Sequence, residues 1–205
     1  MELALIILAS SSLIAIAELL KRRFSLPTAL TRRFAHITTA IVASVAPLFI
    51  SQIEIVVVSI MFAIALLFGR RYRIFSAIHT VERRTFGDVF LPLGVAGSAL
   101  FFLPDDVRAF QFGILVMGIS DAVAGVVGEK IGKHSVRIFN NTKSLEGSAV
   151  FFVTSLAITV FFVVAPAHQI LFIVAVLTAA ELLLVYGLDN LMLPILGGYL
   201  LKFFM

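Results

Sequence analysis

Long apolar runs fix what this chain can become. They recur at roughly 3–20, 35–50, 53–69, 87–103, 109–129, 147–165, 168–186 and 189–204, with little sequence between them. A hydrocarbon layer about 30 Å thick is crossed by about 20 apolar residues in a helix, with a range of about 17–25. Only helices and closed barrels satisfy their backbone polar groups in that layer. The alternating pattern of a barrel strand is absent. The expected fold is therefore all-α, a polytopic transmembrane helix bundle of about eight spans. Several runs are short and the last two can be read as one broken unit, so the range is seven to nine. The 205 residues are 60% hydrophobic and 14% charged, against about 45–50% and about 25% in soluble domains. One membrane domain over 1–205 fits that composition. The first run has no basic residues before it and several after it, so it reads as a retained helix.

The charges that remain are not scattered. Fourteen of the sixteen Lys and Arg fall in three stretches, 21–33, 70–84 and 130–143, all on one side of an eight-span arrangement. Basic loops stay in the cytoplasm, which places both termini outside. The net charge of +4 then reports orientation and calls for no nucleic acid. Within 72–84, Tyr72, Phe75, Ile78, His79 and Glu82 alternate with Arg71, Arg73, Arg83 and Arg84. That stretch reads as one interfacial helix on the basic side. Cysteine is absent, which removes disulfides, thiolate metal sites and cysteine nucleophiles.

Acids are the informative residues. Glu18, Asp88, Asp121, Glu181 and Asp189 lie in or beside apolar runs. An ionised acid inside lipid is costly and marks a cavity or a partner. All five fall toward the basic ends of their segments. Asp88 and Asp189 also suit simple capping, whereas Asp121 and Glu181 lie deeper in apolar sequence. Carboxylates hold magnesium and Lys or Arg neutralises phosphate, so acids and cations on one membrane face suit a metal-bound polyphosphate. An ion-coupled transporter would need such acids too, but near the bilayer midplane.

Two stretches sharpen this. In 118–133, Gly125, Gly128 and Gly132 share a helix face, a spacing that close helix packing explains. In Asn140-Asn-Thr-Lys143-Ser144-Leu-Glu146-Gly147-Ser148, backbone N–H groups, hydroxyls and Lys143 at a helix start suit an anion. An ordinary capping box with Ser144 or Thr142 as the cap is the alternative. No Walker A loop is present.

These residues in this order resemble the dolichol kinase, phytol kinase and CTP-dependent diacylglycerol kinase family, and more distantly CDP-diacylglycerol synthase. The likeness spans about 18–197. It rests on Glu18 with Arg32-Arg33-Phe-Ala-His36, on Arg84-Thr-Phe-Gly87-Asp88-Val-Phe-Leu-Pro92-Leu-Gly94, and on Ser120-Asp121-Ala-Val-Ala-Gly125 through Gly132-Lys133. Lys143-Ser144-Leu-Glu146-Gly147-Ser148 and Glu181 with Asp189-Asn190-Leu-Met-Leu-Pro194 complete it. The chain departs from the family at Asp88, where many members have Glu, and at Ser120, where Gly is common. The resemblance implies a Mg2+-dependent enzyme that uses CTP on a membrane lipid. The kinase form phosphorylates a lipid alcohol such as dolichol, phytol, another isoprenoid alcohol or diacylglycerol. The synthase form transfers a cytidylyl group to a lipid phosphate.

It also implies roles. Asp121 is the first choice for the metal, Asp189 the second, with Glu181 and Asp88 behind them. Lys143 neutralises the nucleotide phosphates, and Ser144 and Ser148 donate hydrogen bonds. Gly147, Gly128, Gly132 and Lys133 complete the phosphate-binding set, and Glu146 holds metal or fixes the loop. His36 with Arg33 binds phosphate or takes the hydroxyl proton. The expected setting is a prokaryotic cell membrane or an endomembrane, with the active site cytoplasmic. A homodimer is compatible with these features.

Overall fold

The computed structural model describes residues 1–72, 77, 85–138 and 141–205. Nine α-helices lie among them: α1 (Glu2–Phe24), α2 (Thr28–Val45), α3 (Gln52–Tyr72), α4 (Gly87–Phe102), α5 (Val107–Leu115), α6 (Ala122–Ile131), α7 (Leu145–Phe162), α8 (Ala167–Leu183) and α9 (Asp189–Phe204). A π-helical stretch, Val116–Asp121, joins α5 to α6. The two then form one rod, and the described helices make an eight-rod bundle. Four rods are long and apolar enough to cross a membrane: α1, α3, Val107–Ile131 and α7. Leu8, Ile53, Phe68, Val153 and Phe161 point outward into what must be lipid. The chain is a polytopic helical membrane bundle. The interfacial helix expected over 72–84 falls mostly outside the described residues.

Local chemistry sets the boundaries. Lys21, Arg22 and Arg23 occupy the last turn of α1, where cations complement the helix dipole. Pro27 then disfavours helix at Leu26 and starts α2 at once. α2 therefore begins seven residues before the apolar run at 35, and Arg32, Arg33 and His36 all ride on it. Asp106 caps α5 by accepting from the Ala109 N–H at 2.9 Å. A short antiparallel ribbon, β1 (Ser135–Ile138) with β2 (Asn141–Ser144), replaces the loop expected before α7.

Packing is uneven. α4, α5, α7, α8 and α9 surround Phe102, Phe110, Phe112, Phe151, Leu177 and Leu193, all buried. Pro194 has no N–H to donate to the Asn190 carbonyl one turn back. Gly94 of α4 sits on that carbonyl, and a Cβ there would also meet the Pro194 ring at 3.1 Å. By contrast, α2 stands away from α3 and α4, and α1 bridges the gap with only Ala17 buried along its length.

Candidate functional site

The site lies at the basic end of the bundle. Lys143, on β2, is its centre. Its Nζ donates to Glu181 Oε1 at 2.7 Å and to the Glu181 backbone carbonyl, and lies 3.5 Å from Asp189 Oδ2. Asp121 is near enough to interact with Lys143 and Glu181 through their charges. The hairpin delivers the cation, the last turn of α8 delivers Glu181 and the first residue of α9 delivers Asp189. The π-helical stretch ends on Asp121, and such irregular turns frequently re-aim side chains at functional positions. Burial favours loss of the Lys143 proton. The carboxylates of Glu181, Asp189 and Asp121 outweigh it and hold the group above its ordinary value of 10.5. Lys143 is therefore a cation at any physiological pH.

The other seven expected phosphate-binding residues lie around this centre. Ser148 Oγ donates to Glu181 Oε2 at 3.1 Å. Ser144 is the cap of α7, accepting from the Gly147 N–H at 3.1 Å, so the capping arrangement is present. Its hydroxyl packs on Gly128 and Gly132, where a side chain on α6 would strike it. Glu146 accepts from the His134 backbone N–H and approaches His134 Nδ1 at 2.7 Å. It pins the approach to β1 and thereby the hairpin. Lys133 is exposed beside it.

The other acids have different neighbours. Asp88 is buried and its Oδ1 lies 3.7 Å from Arg70 Nη1. Arg70 also donates to the Thr85 carbonyl and stands over the Phe86 ring at 4.5 Å. Glu18 accepts from the Ala77 N–H at 2.8 Å and pairs with Arg22, fastening the end of α1. Arg33 makes a two-pronged pair with Glu129 at 2.7 and 2.8 Å, tying α2 to α6. His36 is buried, its Nε2 3.1 Å from Met117 Sδ, and it senses the charge of Asp189. A thioether is a weak acceptor, so this contact leaves the imidazole available to a stronger partner.

One junction brings these groups together. Asn190 Nδ2 donates to the Gly87 carbonyl at 2.7 Å, and the Phe86 N–H donates to the Tyr186 carbonyl. Gly187, at φ 90°, lets that turn lie directly on Gly87. Asp88 and Asp189 are the next residues along on each side. Arg32, Arg70, Thr85 and Asn190 are site residues that sequence reasoning missed as such. Arg70 was legible only as one more basic loop residue, and Asn190 only as part of a motif.

A cavity of about 100 Å³ runs along α2 from this junction, with Arg32, His36 and Asp88 at its basic end. Its walls are largely apolar, among them Ile55, Leu66, Leu91 and Val95.

No family model matches the chain, and no solved structure matches it. A phytol kinase from Synechocystis sp. is 30% identical, with 87% of this chain and 81% of that protein covered. The chain belongs to the phytol kinase family. An uncharacterized protein of Methanocaldococcus jannaschii is 33% identical over 34% of each chain. The likeness to the phytol kinase takes in most of the bundle, so it is no local match of one apolar helix to another. The chain is a lipid kinase of that family.

Proposed function

We propose that this lipid kinase moves the γ-phosphoryl group of CTP to the hydroxyl of a membrane lipid alcohol, on the cytoplasmic face, with both termini outside. One observation carries the reading. Lys143 is held among Glu181, Asp189 and Asp121, and Asp189 also acts through its charge on His36, which lines the end of an apolar cavity. A phosphoryl donor needs the first set and a lipid acceptor needs the second. Phosphoryl transfer is mostly positioning and charge stabilisation, and both are built here.

In the proposed reaction the lipid oxygen attacks the γ-phosphorus and the bond to the β–γ bridging oxygen breaks. CDP leaves, and the hydroxyl proton passes to His36, whose neutral imidazole can accept it. Lys143 and the start of α7 neutralise and orient the phosphates. Arg33, tied to Glu129, holds α2 in place. Magnesium fits the donor set: the oxygens are hard, and the ion usually takes one or two carboxylates plus phosphate oxygens and water. No cluster of three or more acid or His ligands is preassembled among the described residues. Asp121 and Asp189 would hold it with Glu181 beside them, and it would neutralise charge on the polyphosphate. Asp88, at the cavity end, faces Arg70.

Purified protein with magnesium, lipid alcohols and CTP labelled at either the γ or the α phosphorus tests this. Label should reach lipid from the γ position alone, and excess ATP should not compete. Label arriving from the α position means cytidylyl transfer. No transfer from either position to alcohols or phosphatidate removes the proposal.

A further inference from the structure

Lys143 owes its position to an element that is weak by itself. The β1–β2 ribbon has two short strands, and an isolated two-stranded hairpin is at best marginally stable in water. Its register pairs Ser135 with Ser144 and Val136 with Lys143, so Lys143 lies one step inside the open end. What fastens that end fixes where the cation stands. On the β2 side, Ser144 caps α7. On the β1 side, His134 precedes the strand and meets the start of α7 through three groups. Its carbonyl accepts from the Leu145 N–H at 2.9 Å. Its own N–H donates to Glu146 Oε1 at 3.2 Å, and its ring Nδ1 lies 2.7 Å from the same oxygen. An ionised carboxylate only accepts, so Nδ1 carries the hydrogen. The carboxylates that act most strongly on Lys143 are Glu181, Asp189 and Asp121. Glu146 therefore bears on the cation through the ribbon backbone.

We propose that His134 is a positioning residue for the phosphoryl donor. Through Glu146 it clamps the open end of the ribbon to the first turn of α7, and so keeps Lys143 Nζ in reach of Glu181 and Asp189. Glu146 is then part of the clamp rather than a metal ligand. The inference rests on the lipid-kinase reading above, in which Lys143 meets the nucleotide phosphates, and adds the device that holds Lys143 ready for them. The His134 side chain is 75% exposed, so replacing it opens no core and leaves both backbone hydrogen bonds in place. Only the ring contact is lost. A small swing of the ribbon is enough to matter, since a misplacement of about 1 Å can cost about 10²-fold in rate.

The test uses the full-length protein in lipid nanodiscs. His134→Leu removes the ring donor, and His134→Asn supplies an amide N–H in its place. His134→Leu should lower kcat/KM for CTP about three- to tenfold, with KM for the lipid alcohol within about twofold, the scale of a partial displacement on the donor side. His134→Asn should return it close to wild type. Glu146→Gln approaches the clamp from its other side and should repeat the loss if His134→Leu fails to fold. A second readout needs no activity. Acylation of amines in the folded protein, read by mass spectrometry, reports how often Lys143 leaves Glu181. His134→Leu should raise Lys143 labelling at least about threefold through local opening, and His134→Asn should bring it back. Lys202, in the last turn of α9, serves as the unchanged control. Lys143 labelling unchanged in folded His134→Leu overturns the clamp, as does a loss of activity that His134→Asn leaves unrestored. If no alcohol is phosphorylated even by wild type while Lys143 labelling still follows His134, the kinase reading fails and the clamp stands.

Discussion

The two halves of the bundle are packed to different purposes. Around α4, α5, α7, α8 and α9 large side chains are fully buried and backbones meet at Gly94 and Pro194. On the other side α2 stands away from α3 and α4, and a cavity runs between them. The first half holds Glu181, Asp189 and Lys143 in fixed relation, which charge stabilisation demands because misplaced charges cost binding energy. On the proposed reading the second half admits a membrane lipid, which a close-packed interface cannot do. Lipid gives no hydrophobic drive to close such a gap, since acyl chains are as apolar as side chains.

The sharpest way to break this comparison is to remove the central cation. Lys143→Met should cut kcat/KM by roughly 10²–10³-fold and destabilise the protein, because Glu181 and Asp189 are left facing each other largely buried. The double variant Lys143→Met with Glu181→Gln should recover thermal stability and no activity. Recovery of both would make the pair merely structural. Asp121→Asn keeps the shape and removes one charge; a loss of about 10²-fold is expected, seen as a raised magnesium requirement with unfolding temperature little changed. Activity near wild type would dismiss Asp121 as a metal ligand.

Packing separates the halves next. Gly94→Leu, at the α4–α9 crossing, should cost about 1–3 kcal/mol of stability, measured by thermal unfolding in detergent. Leu8→Ala on the outer face of α1 should change it by less than about 0.5 kcal/mol. Equal sensitivity would deny the uneven packing. The smallest effect concerns pH. Lys143 is held above its ordinary value, so the stability its ion pairs give is fully present below that value and is lost only as pH rises through the higher folded one. Wild-type unfolding temperature should show no fall from loss of the Lys143 proton between about pH 7 and 9, measured by thermal unfolding in detergent across that window.

Much of this was legible in the residues. The helices follow from apolar runs of membrane length, and Lys143, Asp121, Glu181 and Asp189 stand out as charges in such sequence. Their convergence did not follow, because apolar pattern reports that a helix is buried in something and not in what. Arg33 and Asp88 show the limit. Arg33 was expected with His36 at phosphate or the hydroxyl proton, and Asp88 as a lower-ranked metal ligand. Neither the pair of Arg33 with Glu129 nor that of Asp88 with Arg70 was foreseen. Such partners lie far away in sequence and leave no periodic signal. The β1–β2 ribbon was missed because strands of four residues are too short for alternation to register.

The sequence by itself determined a helical membrane bundle with one basic end and acids gathered toward it, because the cost of burying charge and backbone in lipid leaves few alternatives. Tertiary structure alone decided which acids share Lys143 and where the bundle stays open. Those depend on how helices of nearly uniform apolar surface choose their neighbours. Glycine contacts, a proline-freed carbonyl and a few long-range hydrogen bonds make that choice, and their partners cannot be read along the chain.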